Sequence, residues 1–303
     1  MLSRHPLFKA YLSLGAICFF WGTTYLGIRM ALESFPPMVL VSARFILSGG
    51  VMLFGCLIAN VQLPRGKELL ATALNGVLIL GIGNSCLTVA ELWIPSGLAA
   101  LIITTSPLWM VGIDAVLPGG DRLRPAAVAG ILIGGGGAVL LMAPRATGAE
   151  LSSHLWGAFL LLQLANFAWS FGSIRQRRMP ALAHPIVSGA IQQLAAGLAC
   201  LPFALLTGGQ PIIWQTRATL ALLYLSVFGS IVGYSAYVYA LDKLPVALVS
   251  LYTYVNPVVA LLLGWLFYRE TFGWLEASGM AVIFLGVAIV KRYSPAPTAV
   301  ELD

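Results

Sequence analysis

The chain has 303 residues, of which 59% are hydrophobic and 9% charged, against roughly 45–50% and 25% in soluble domains. So little charge cannot cover a water-exposed surface, which excludes a soluble protein and points to an integral membrane one. The net charge of +6 is no sign of nucleic acid, because the basic residues sit at the ends of apolar runs and not along one stripe.

The first apolar run follows a basic flank, Arg4 and Lys9. At about 20 residues it is long for a signal-peptide core, and no small-residue cleavage site follows, so it reads as a retained span. Breaks at Pro, Gly and charge clusters then place spans near residues 8–30, 37–59, 69–92, 96–117, 125–143, 155–174, 185–206, 217–241, 246–267 and 273–291. Connections as short as 93–95 and 242–245 require antiparallel helical hairpins, and Pro95 and Pro245 suit the first turn of the following helix. No linker divides the chain. Cys18, Cys56, Cys86 and Cys200 lie in apolar runs without disulfide or zinc spacing and read as buried thiols.

With the N-terminus inside, one side of the membrane collects Arg4, Lys9, Arg65, Lys67, Arg122, Arg124, Arg175, Arg177, Arg178, Lys243, Lys291 and Arg292. The other side collects Arg29, Arg145, Arg217 and Arg269. This bias over short loops predicts that both termini are cytoplasmic.

Residues 83–107 are written a second time at 233–257. The copies share Gly83/Gly233, Ser85/Ser235, Ala90/Ala240, Pro95/Pro245, Leu98/Leu248, Leu101/Leu251 and Pro107/Pro257, each pair 150 positions apart. Fainter matches continue at Gly22/Gly172, Ala71/Ala221, Ala127/Ala277 and Gly136/Gly286. One offset of half the chain predicts two related units, residues 1–150 and 151–303. Each carries five spans, and an odd number of crossings turns the second unit upside down. Inverted repeats of this kind are typical of secondary transporters, with a substrate site near mid-membrane.

No HExxH, GxSxG or paired acidic motif occurs within a span, so enzymatic chemistry, a metal site and a cofactor are not expected. Gly130 and Gly134, like Gly279 and Gly286, read as faces of close helix packing, within a monomer or between the copies of a homodimer. Polar and aromatic residues at mid-span mark the candidate site, since lipid tolerates them mainly when they face a cavity or a partner. Asn84 and Thr88 share a helical face with Glu91, and Tyr234 and Tyr237 lie on the equivalent eighth-span face. Ser106 with Trp109, and Tyr252 with Asn256, flank the mid-span Pro107 and Pro257, which free backbone carbonyls and bend their helices. Trp21 and Tyr25 come from the first span, and Gln163, Asn166 and Trp169 from the sixth. Arg44 is the one charge well inside a span; it reads equally as an anchor for a solute carboxylate and as a clamp between helices. Gln192 lies at comparable depth from the other side, beside Gln193. Glu91 and Asp114 stand near span ends and read as interfacial carboxylates or as proton-binding groups, and no carboxylate sits at mid-membrane.

Several stretches resemble the EamA family of the drug/metabolite transporter superfamily: FWGTTY at 20–25, SARF at 42–45, SGLAALIITTSPLW at 96–109, and VALVSLYTYVNPVVALLLGWLFYRETF at 246–272. The resemblance implies ten helices in two inverted five-helix halves in a bacterial inner membrane, and export of small metabolites. The Trp- and Tyr-rich centre is similar to the aromatic amino-acid exporter branch. The expected partners are a small solute and membrane lipids. Drug or nucleotide-sugar transport, and a membrane-embedded enzyme, are the alternatives.

Overall fold

A computed structural model describes residues 7–118, 124–140, 149–179 (side chains from 154), 183–207, 212–244, 249 and 252–293. Among these residues the fold is all-helical. The helices are α1 (Phe8–Ala31), α2 (Pro37–Ile58), α3 (Gly66–Ala90), α4 (Ser96–Val116), α5 (Pro125–Leu140), α6 (Ala149–Arg178), α7 (Pro185–Thr207), α8 (Thr216–Lys243), α9 (Tyr252–Tyr268) and α10 (Trp274–Tyr293). All but α5 and α9 contain a stretch long and apolar enough to cross a membrane. The sequence extends those two spans to 143 and back to 246; apart from Val249, these extensions lie outside the described residues. The same holds for Arg4, Arg122, Arg145 and Pro245, on which part of the topology and repeat reading rests.

Of the two prolines expected in a first turn, Pro95 is instead the N-cap residue just before α4, and Pro245 lies outside the described residues. Pro37 and Pro125 open α2 and α5, where a missing N–H costs nothing. Two irregularities were not foreseen. α3 widens into a π-helical segment at Val77–Ile82, and α8 does the same at Leu225–Val232. The segments sit at corresponding places under the 150-residue offset, and each ends at the glycine of the repeat, Gly83 or Gly233. A π turn accommodates an extra residue and shifts the side chains that follow it around the helix.

Helix pairing follows the same correspondence. α2 packs along α7 and α5 along α10, each helix against its own counterpart. α4 packs on α6 as α9 does on α1, and α3 on α6 as α8 does on α1. The α5–α10 seam depends on glycine, as its small-residue spacing predicts. A Cβ on Gly286 would stand 2.4 Å from the Gly134 nitrogen and 2.6 Å from the Gly130 carbonyl oxygen, so the backbones touch directly.

One end of the bundle, where α1, α3 and α9 finish and α4 and α8 begin, is tied by side chains. Glu270 Oε1 accepts the Ser96 backbone N–H at 3.0 Å and the Ser96 hydroxyl at 2.9 Å, and Oε2 accepts the Gly97 N–H at 3.0 Å. A carboxylate there satisfies the free amides and the positive dipole end of α4. Arg29 reaches Glu270 at 3.5 Å, Arg217 reaches Glu33 at 3.8 Å, and the Tyr268 hydroxyl donates to Glu33.

Candidate functional site

A cavity of about 90 Å³ lies in the middle of the bundle, where the two π segments, the α4 break and α1, α2, α6 and α9 converge. That is room for several waters. Its wall is mostly apolar and aromatic, with a few convergent polar groups, the composition of a small-molecule site.

The aromatic side is built around Trp21. Its ring centroid lies 5.3 Å from Trp169, 5.0 Å from Tyr237 and 5.1 Å from Tyr252, and its indole N–H donates to the Gly229 carbonyl in the α8 π segment at 3.0 Å. Gly233 makes room for it: a Cβ there would meet the indole nitrogen at 2.5 Å.

On the polar side stands Arg44, 6% exposed. Its Nε donates to Ser230 Oγ at 2.7 Å and its Nη1 to Asn84 Oδ1 at 3.5 Å. Arg44 is in no ion pair among the described residues, and it is the one charged side chain in the cavity wall. Its two hydrogen-bond partners are neutral, so the guanidinium carries an uncompensated positive charge beside the cavity.

The amides stitch helices while also lining the cavity. Asn166 donates to Thr105 Oγ1 at 2.9 Å and to the Ile102 carbonyl at 3.4 Å. Asn256, oriented as a donor, reaches the carbonyls of Tyr252 at 3.1 Å and Cys18 at 3.0 Å. α4 is interrupted at Thr104 and Thr105, just before Pro107, where short three-residue hydrogen bonds replace helical ones. The Thr104 and Thr105 hydroxyls close on the Leu101 and Ile102 carbonyls at 2.5 and 2.8 Å, and Ser170 reaches the Ser106 carbonyl at 3.3 Å.

Of the residues proposed from sequence, Trp21, Tyr25, Arg44, Asn84, Ser106, Asn166, Trp169, Tyr234, Tyr252 and Asn256 line this cavity. Tyr237 lies behind Trp21 and lines a smaller adjoining pocket with Ser106, Pro107 and Tyr252. The other four fall elsewhere. Thr88 is buried outside the wall. Trp109 donates to Gln163 Oε1 at 2.8 Å and packs edge-on against Phe167, and neither Trp109 nor Gln163 is in the cavity wall. Gln192 accepts from the Tyr234 hydroxyl and donates to Gln176 at 3.0 Å, supporting the wall from behind. Thr24 and Ser230 line the cavity without having been singled out as site residues. Ser230 extends the eighth-span face of Tyr234 and Tyr237, which is the signal that marks it in the sequence.

Apolar helices packed around a central cavity with a few polar groups define a multi-pass membrane protein of the solute-transporter type. The profile of the EamA-like transporter family matches residues 8–143 and again 155–292, so the chain belongs to that family. It is a transporter of the drug/metabolite class and not an enzyme, as the motifs implied. It is similar to the uncharacterized inner membrane transporter YedA of Escherichia coli (strain K12), 37% identical over 94% of this chain and 90% of that protein. A probable amino-acid metabolite efflux pump of Salmonella typhimurium is 25% identical over 89% of this chain and 90% of its own. A solved crystal structure matches with a TM-score of 0.68 at 26% identity, covering 94% of this chain and 99% of that one.

Proposed function

We propose that the chain exports neutral or zwitterionic amino acids, aromatic ones first, across a bacterial inner membrane by alternating access around the central cavity. One observation carries this reading: a buried arginine in no ion pair among the described residues and an aromatic cluster line the same small cavity. A zwitterion supplies what that wall lacks, a carboxylate for Arg44 and a ring for the Trp21, Trp169 and Tyr252 cluster. Desolvating Arg44 is costly unless a counter-charge arrives, so an anionic group is favoured there and a cationic drug is not. The similarity to a probable amino-acid metabolite efflux pump points the same way.

The movement would come from two inverted five-helix halves, residues 1–150 and 151–303, with both termini cytoplasmic. The exchangeable helix pairs, the paired π segments and the double family match support that arrangement. The transporter works as a monomer or homodimer.

The test is counterflow of radiolabelled phenylalanine, tyrosine, tryptophan and leucine in proteoliposomes. Saturable flux above empty vesicles is expected. Arg44→Gln should lower it by roughly 10-fold or more, since a charge-assisted hydrogen bond to solute contributes about 1.5–3 kcal/mol. No flux with any of these solutes would end the assignment.

A further inference from the structure

Glu91 is the first residue after α3, in the tied end of the bundle. It is 4% exposed, and neither carboxyl oxygen has a hydrogen-bond partner among the described residues. An ionised carboxylate in that position is not tolerated, because burial without partners costs several kcal/mol. The groups around it are few. Arg29 and Tyr25 face it from α1, Glu270 from beyond α9, and His154 of α6 lies over the neighbouring Trp93 at 5.5 Å. Glu33 and Arg217 stand one layer further out, bound to each other. Arg29 is already engaged, 3.5 Å from Glu270 and 3.4 Å from the Ile94 carbonyl. Tyr25, which Glu91 influences electrostatically, belongs to the same buried cluster as Ala90 and Ile94 and also lines the central cavity, so the carboxyl and the solute site share a neighbour.

We propose that Glu91 is a proton-binding site, loaded when this end of the bundle closes and emptied when it opens. Closing removes water from the carboxyl and leaves Arg29 to Glu270, so the acid must take one proton from the adjoining aqueous phase before it is buried. Opening wets the group, the O–H bond breaks, and the proton returns to water as the carboxylate competes with Glu270 for Arg29. Burial holds the carboxyl well above its ordinary value of 4.5, Arg29 offsets part of this, and the Glu270 charge adds to it. Between the ordinary and the raised value, closed and open forms differ by one proton. Their ratio therefore changes by about tenfold per pH unit. The role in a transport cycle rests on the export reading above; the proton site itself does not.

The test separates the two. Spin labels at Leu92→Cys and Phe272→Cys, in protein with its four native cysteines replaced, report the separation of the α3–α4 and α9–α10 turns without any solute. In the wild-type background the short-distance population should give way to a longer one as pH rises. With Glu91→Gln it should persist across the range. Infrared spectra of the unlabelled protein should show a protonated-carboxyl band that fades over the same pH interval and is missing from Glu91→Gln. Should that variant fail to fold, Glu91→Asp replaces it and the band shifts in frequency. A pH-independent distance in the wild type, or an equal pH response and an unchanged band in the variant, overturns the proposal. Absence of solute flux in proteoliposomes, with these responses intact, would refute export and leave the proton site standing.

Discussion

Among the described residues Arg44 and Glu91 are both buried without an ion pair, and they differ in kind. Arg44 has neutral hydrogen-bond partners and a cavity beside it; Glu91 has no hydrogen-bond partner and no cavity. The consequence for Glu91 can be read in stability alone. Its folded pKa lies above that of the unfolded chain, ordinarily 4.5, so from that pH upward the native state holds a proton that the unfolded state has lost. Stability then falls as pH rises, until the raised value is passed. Thermal unfolding in detergent should show wild type losing midpoint temperature over this window relative to Glu91→Gln; parallel curves would contradict it. At the cavity, Trp21→Ala should lower flux by roughly 2- to 10-fold while the protein stays folded, because the ring forms the centre of the aromatic wall and an aromatic contact with the solute contributes about 0.5–1.5 kcal/mol. Unchanged flux would return Trp21 to a packing role.

At the scale of the helix, the glycines and prolines were legible and the π segments were not. Pro107 announces the interruption of α4 because it cannot donate its N–H. No residue announces a π turn in the same way; its extra residue shows only when a neighbour approaches, as Trp21 does at Gly229 and Gly233. For that reason a single-residue deletion inside Leu225–Val232 should be more harmful than its size suggests. It would restore an α-helical register and swing Tyr234 and Ser230 by about 100° around α8, and solute flux should be lost even if the protein still reaches the membrane. The site list shows the same division. Ten of its residues reach the cavity, because polarity at mid-span is costly and demands an inward position. Trp109 finds its acceptor in Gln163 instead, away from the cavity wall. Glu270 belongs to a motif that was legible, but its task at the α4 terminus was not, since nothing local links residue 270 to Ser96. Replacing Glu270 by Ala should lower stability by about 0.5–2 kcal/mol, as loss of a helix cap does, measured as a drop in unfolding temperature.

The whole molecule follows from composition and one offset. A chain this apolar must cross the membrane repeatedly, and 150 residues of separation between like segments puts like helices in pairs: α2 with α7, α5 with α10. Orientation is a separate matter, since part of the Lys/Arg asymmetry rests on residues outside the description. Reporter fusions settle it: with both termini cytoplasmic, a fluorescent protein lights up at either end and alkaline phosphatase stays inactive at both. Opposite results at the two ends would contradict the inverted-half arrangement. The glycine seam between α5 and α10 has an evolutionary consequence. Outside that seam the pair meets the other described helices chiefly through α4, while Leu132, Val139 and Leu285 look outward, 72%, 44% and 55% exposed. Those outer positions only need to mix with acyl chains, so they are free to drift among aliphatic residues. Gly130 and Gly286 tolerate no such wandering, because any side chain there would drive the two backbones apart.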